Sequence, residues 1–250
     1  MRSASDQSAI SLVLVGLLVI SAGCGQGEYD SRMSGAAASI ARRAASGPQE
    51  LTKDHAPVRG TQGPAGLKVR FPTLFTTETK SLDASQPKAK LLQSDLPGFC
   101  YTMERILADD AGKNIPAYCY LYAVPSSEAV KVHTQLQSSA AGIGPANWSN
   151  NPPVKSPTGD IAVKVLKVAG DMDFEVNGAN ERLPGQLEIY SFNAGANEVI
   201  IGWRAANSAA RKHGLFDAVR ASMASAQLDA PAAAPAPAAP GAPVAPAAGS

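Results

Sequence analysis

The chain predicts an α+β domain: a mostly antiparallel sheet of about six strands packed with two or more helices. Three observations carry this. Segments between residues 67 and 204 alternate apolar and polar side chains with a period of two. The reversals between them are built from Asn, Asp and Gly, which close hairpins. Two stretches change to helical spacing, one mid-chain and one near the end, an order that places helices against an antiparallel sheet.

The candidate strands are residues 67–75, 98–107, 115–124, 161–168, 171–176, 186–192 and 198–204. The second and third flank Asp109-Asp110-Ala111-Gly112-Lys113-Asn114, a turn-forming cluster midway between Cys100 and Cys119. Folding back about it brings these cysteines side by side, and the expectation is a cross-strand disulfide worth roughly 3 kcal/mol in the chain-entropy model. Two buried free thiols or metal ligands are the alternatives, the latter lacking a third ligand at suitable spacing. The clearest hairpin joins 187–192 to 199–203 through Asn193-Ala194-Gly195-Ala196-Asn197, whose Asn and Gly residues tolerate positive φ.

The middle helix starts at Pro125-Ser126-Ser127-Glu128, with Ser126 as N-cap and Glu128 at the positive end of the dipole. Ala129, Val132 and Leu136 share one face and should pack on the sheet. The last helix begins near Ser208 or Leu215 and runs to Ala226, with Leu215, Val219 and Met223 at successive fourth positions and Phe216 beside them.

Strands, a middle helix, more strands and a closing helix resemble the PsbP-like superfamily. The features that carry the resemblance are Leu96-Pro97-Gly98-Phe99, the helix from Ser126, a Trp148-containing loop, and Ile201-Gly202-Trp203-Arg204 followed by a helix with Phe216 and Ser222. It implies an α/β/α sandwich and transfers no functional residue, because that superfamily shares a fold more than a site.

The amino end carries a different signal. Arg2 precedes a short uncharged apolar run that ends in Ser21-Ala22-Gly23-Cys24. A spanning helix needs about 20 apolar residues, more than this run supplies. Basic start, apolar run and small residues are the layout of an export signal. Ala22-Gly23-Cys24 resembles the end of a bacterial lipoprotein signal peptide, although Ser21 stands where that family usually has Leu. The resemblance implies cleavage before Cys24, lipid on its sulfur, and a membrane-anchored protein of the bacterial cell envelope with its domain outside the cytoplasm. An ordinary secretory signal cut near residues 21–23 is the alternative. Lipid on Cys24 also leaves an even cysteine count, as expected for an exported chain.

The division that follows is a signal peptide over residues 1–23, a disordered tether over 24–66, a globular domain over 67–229 and a disordered Ala/Pro-rich tail over 230–250. Tether and tail are rich in Ala, Gly, Ser and Pro and cannot bury enough apolar surface to offset the entropy of ordering them. With 22 basic and 21 acidic residues, the charge balance gives no support for nucleic-acid binding.

Chemistry is sparse in the sequence. His55, His133 and His213 are scattered, with His55 in the expected tether and His133 on the polar side of its helix, where solvation is its expected state. No serine-nucleophile elbow, phosphate-binding loop or dinucleotide fingerprint occurs, so no catalytic residue and no cofactor are assigned. The one metal candidate is Gly170-Asp171-Met172-Asp173-Phe174-Glu175-Val176. There strand alternation lines up Asp171, Asp173 and Glu175, oxygen ligands suited to Ca²⁺, although any solvent-facing strand reads the same way. Tyr118, Tyr120 and Tyr122 share a strand face and, with Trp148 in its long polar loop, form a candidate contact surface for a protein or glycan. Packing of the tyrosines beneath the middle helix is the alternative.

The functional expectation is a non-catalytic interaction or accessory domain. Its partners would be the membrane through lipid on Cys24 and an envelope protein or cell-wall polymer. An envelope solute- or Ca²⁺-binding protein is the alternative, and an enzyme of unknown class the third.

Overall fold

The computed structural model describes residues 51–60, 63–76 and 78–228. The expected signal segment with Cys24, most of the expected tether and the expected tail lie outside them. The ordered domain begins earlier than Leu67. Leu51 bridges Pro72, and residues 56–60, assigned to the tether, form a strand in which Val58 is buried.

Among the described residues, ten strands and three helices make up an α+β fold. The strands are β1 (Ala56–Gly60), β2 (Gly63–Val69), β3 (Lys80–Ser81), β4 (Phe99–Ala108), β5 (Asn114–Pro125), β6 (Trp148–Ser156), β7 (Gly159–Val176), β8 (Ala179–Ala194), β9 (Asn197–Ala206) and β10 (Gln227–Leu228). The helices are α1 (Ala129–Ala140), α2 (Asn207–Lys212) and α3 (Leu215–Ala224). The principal sheet has seven antiparallel strands in the order β3-β4-β5-β9-β8-β7-β6, one more than expected, and a second sheet has the order β1-β2-β10.

Hairpin chemistry sets the registers. Between β4 and β5, the Asp109 carboxylate accepts the backbone N–H of Ala111 at 2.9 Å and of Lys113 at 2.8 Å. Between β8 and β9, Asn193 Oδ1 accepts the N–H of Gly195, which takes φ +78°. The β7–β8 ladder runs unbroken from Val163 to Val176, so the two segments expected around Gly170 are one strand.

Both faces of the large sheet are covered, and alternation therefore sorts buried residues between two layers rather than between core and solvent. One face carries Tyr118, Tyr120, Tyr122, Gly202 and Ser191 and is covered by α1 and by the one-turn segment Leu91–Gln93. Leu91 packs so closely on Gly202 that a Cβ there would lie 2.9 Å from its Cδ1. From α1, Val132, Leu136 and Ala140 are buried; removing a side chain of the Val or Leu class from water contributes about 1.5–3 kcal/mol. Ser126 does not cap this helix. It opens a single 3-10 turn and donates instead to the Gly195 carbonyl at 2.7 Å.

The opposite face carries Glu188, Tyr190 and Trp203 beneath the small sheet and α3. Trp203 is fully buried, with the Phe75 ring edge-on at 5.1 Å. The closing helical segment is broken at Gly214, which takes φ +61°. Beyond it Leu215, Phe216, Val219 and Met223 are buried, as their spacing predicted.

Candidate functional site

Strands β6 and β7 form one border of the large sheet, and a cleft opens on each side of it. The cleft on the α1 side has a volume of about 360 Å³ and is lined by Val130, His133, Thr134 and Gln137 from the helix and Trp148, Asn150 and Lys164 from the strands. Trp148 and Asn150 are two apart on β6, and Asn150 faces Lys164 across the ladder, so all three point to this face.

A chain of polar groups lies behind this lining. His133 Nε2 is 2.8 Å from Ser191 Oγ and 3.4 Å from Glu198 Oε1, and Ser191 donates its hydroxyl proton to that same carboxylate oxygen at 2.5 Å. Ser191 is only 1% exposed and Glu198 7%. Burial alone would raise the Glu198 carboxyl; hydrogen bonds from His133 and Ser191 outweigh it and hold the group below its ordinary value. The Trp148 ring lies 4.6 Å from the His133 ring, and its Nε1 donates to the His133 carbonyl at 3.0 Å. His133, expected in solvent, is thus a part-buried junction of helix, sheet and β6.

The cleft on the other side is about 440 Å³. Its apolar walls are Val154, Val163 and Met223, and Lys167 and Arg220 stand beside it. Glu188, 0% exposed, accepts from Gln186 at 2.7 Å, from Arg220 at 3.0 Å and from the Tyr190 hydroxyl, with Lys167 at 3.5 Å. Burial and the adjacent Glu188 carboxylate push the Tyr190 hydroxyl far above its ordinary range.

The expected sites fare unevenly. The disulfide is not formed: both cysteines are free. Cys100 faces Tyr122 while Cys119 faces Met103, an offset of three positions, so the thiols point to opposite faces of the sheet. The three tyrosines do share a face, yet each is buried, covered from above where Leu91 N–H donates to Tyr122 at 3.1 Å. They are core and not a contact surface; Trp148 is the member of that set at a cleft. Asp171, Asp173 and Glu175 share the exposed face of β7, and Glu175 pairs with Lys88 at 3.2 Å. Among the described residues no three His, Cys, Asp or Glu side chains gather into a metal-holding group. Cys24 lies outside the described residues.

Sequence reading missed His133, Ser191, Glu198, Glu188 and Arg220. The available signal was a glutamate inside otherwise apolar strands, as in Leu187-Glu188-Ile189 and Glu198-Val199-Ile200; burial of the Glu demands a partner.

No known protein family, no curated protein and no solved structure matches this chain.

Proposed function

We propose that this is a lipid-anchored protein of the bacterial cell envelope whose folded domain is a non-catalytic interaction module, working through the cleft between α1 and the β6–β7 border. The observation that carries the reading is the division of labour at that cleft. The reactive-looking groups are turned inward: Ser191 and Glu198 are buried and bonded to each other and to His133, and they tie the helix to the sheet. Of the groups that line the cleft, His133 is engaged by Ser191 and Glu198, and Trp148, Gln137, Asn150, Thr134 and Lys164 can make contacts but form no nucleophile and base pair. The anchor rests on Ala22-Gly23-Cys24 after the apolar run. Helical elements on both faces of an antiparallel sheet support the finer reading of a PsbP-like sandwich.

Mass spectrometry of the chain recovered from membranes tests the anchor, with a diacyl group on Cys24 at the new amino terminus as the expected result. An unmodified thiol, or a chain released by a salt wash, overturns it. Crosslinking in intact envelopes from a photoreactive residue at position 150 tests the module: a discrete adduct is expected, and none at any of several positions around the cleft overturns it.

The second reading, an envelope solute-binding protein, is favoured by the 440 Å³ cleft, where Lys167 and Arg220 stand beside apolar walls. A thermal shift with small amphipathic anions, abolished by Arg220→Ala, would establish that reading.

A further inference from the structure

From the shape and chemistry of the α1-side cleft we infer that it is a glycan-binding trough, with Trp148 as the stacking platform. The inference rests on the interaction-module reading and names the ligand class for the same site.

Three features select the ligand. The first is the combination of one part-exposed indole with neutral hydrogen-bonding side chains. A pyranose ring presents an apolar C–H face and a rim of hydroxyls. The indole suits the first, and Gln137 and Asn150, each donor and acceptor, suit the second, with the Thr134 oxygen as a further acceptor while its proton goes to the Val130 carbonyl at 3.0 Å. Lys164 adds one cation, enough to favour a sugar carrying a carboxylate and too little for a polyanion, whose binding is built from many phosphate contacts.

The second feature is rigidity. Trp148 is held by its Nε1 bond to the His133 carbonyl and by the His133 ring at 4.6 Å, and His133 is itself held by Ser191. Gln137 is oriented by its bond to Asn147 Oδ1 at 3.2 Å. A platform fixed before binding loses little rotamer freedom when a weakly held sugar arrives.

The third feature argues against the main competitor, an extended peptide adding to the free border of β6. That strand contains Pro152 and Pro153, which lack an N–H, and its pairing with β7 is irregular between Asn151 and Val154. Strand addition needs a regular row of backbone donors that this border does not offer. The lining is also too polar for a lipid chain, since Val130 is its one aliphatic side chain.

The test is a fluorescence titration of the full chain purified in detergent. The chain has two tryptophans, and Trp203 is 0% exposed, so a ligand-dependent change in emission reports Trp148. The probes are a hexamer of β-1,4-linked N-acetylglucosamine, neutral and acetamido-bearing, and a hexamer of galacturonate, acidic and without acetamido groups. Expected is a saturable change with at least one of them, the affinity falling about tenfold or more in Asn150→Ala and in Gln137→Ala. Trp148→Ala should abolish binding by calorimetry, with thermal melting used to confirm that each variant is folded. A galacturonate response that Lys164→Ala removes and Asn150→Ala leaves intact overturns the trough and leaves only a surface charge contact. No response to either probe at millimolar concentration overturns the inference outright. Neither result touches the lipid on Cys24 or the crosslinking from position 150, so failure of the ligand class and failure of the module are read separately.

Discussion

His133 and Ser191 are joined by a 2.8 Å contact across 58 positions of sequence, and this contact fastens α1 to the middle of the large sheet. The hydroxyl stands between an imidazole and a carboxylate, and its removal leaves those two only their own 3.4 Å approach. Ser191→Ala should cost about 1–3 kcal/mol, the range for leaving a buried polar partner unsatisfied. Urea unfolding measures it, and hydrogen exchange should show the loss concentrated in α1.

Glu198 gives the fold a pH dependence of defined sign. Its carboxyl titrates below the ordinary value of 4.5 in the folded chain. The stability it contributes is therefore fully present above that value and is lost as pH falls through the lower folded one. Urea midpoints taken from pH 7 down to pH 3 should decline less steeply in Glu198→Gln than in the parent chain.

Arg220 anchors α3 to a carboxylate that has no access to water. Arg220→Ala should destabilise by about 1–2 kcal/mol, less than the penalty for stripping a lone buried charge, because Lys167, Gln186 and Tyr190 still face Glu188. The double variant Arg220→Leu with Glu188→Leu should recover part of that loss in a double-mutant cycle.

Two glycines separate backbone strain from crowding. Gly98 has φ +98°, and a Cβ on it would lie 2.1 Å from the Ala123 carbonyl oxygen, an immovable part of β5. Gly98→Ala should cost about 3 kcal/mol or more. Gly112 has φ +79° with nothing near its absent Cβ, so Gly112→Ala should cost about 1 kcal/mol. Thermal melts of the two variants side by side give the comparison.

Thiol counting checks the register of β4 against β5. Burial pushes the Cys119 thiol well above its ordinary range. Cys119 should resist an alkylating reagent until the chain is unfolded, and a reductant should leave the melting temperature unchanged.

What the sequence revealed follows what alternation can encode. Strand β7 was readable, as two segments, because its apolar positions recur at period two; β5 and β9 were readable as apolar runs buried on both faces, and the turns after β4 and β8 carry Asp109, Gly112 and Asn193. The tyrosine face of β5 was placed correctly relative to its neighbours. Its burial was left open between a contact surface and packing beneath the middle helix, because part of the cover comes from Leu91, in a short segment with no periodicity of its own. Strand β6 was read as a loop since Asn150, Asn151, Pro152 and Pro153 are exposed at the sheet border and show no alternation. Strand β1 is five residues with an arginine at its fourth position, indistinguishable in composition from a tether. The cluster at His133 was invisible for another reason: its members lie on one helix and two strands, and only the completed register of β8 with β9 brings Ser191 and Glu198 beneath that helix.

The two ends of the described chain are fastened to one short stretch. Leu51 bridges Pro72, and Leu228 pairs with Leu67 in β2. Tension applied between those ends would be taken up across residues 67–72 and the few bonds around them. Leu228 also donates its N–H to Ser156 Oγ at 3.4 Å and accepts from Thr158 Oγ1 at 3.5 Å, so a share of any pull on that end would reach the turn where β6 passes into β7, and the strand that carries Trp148 would feel it.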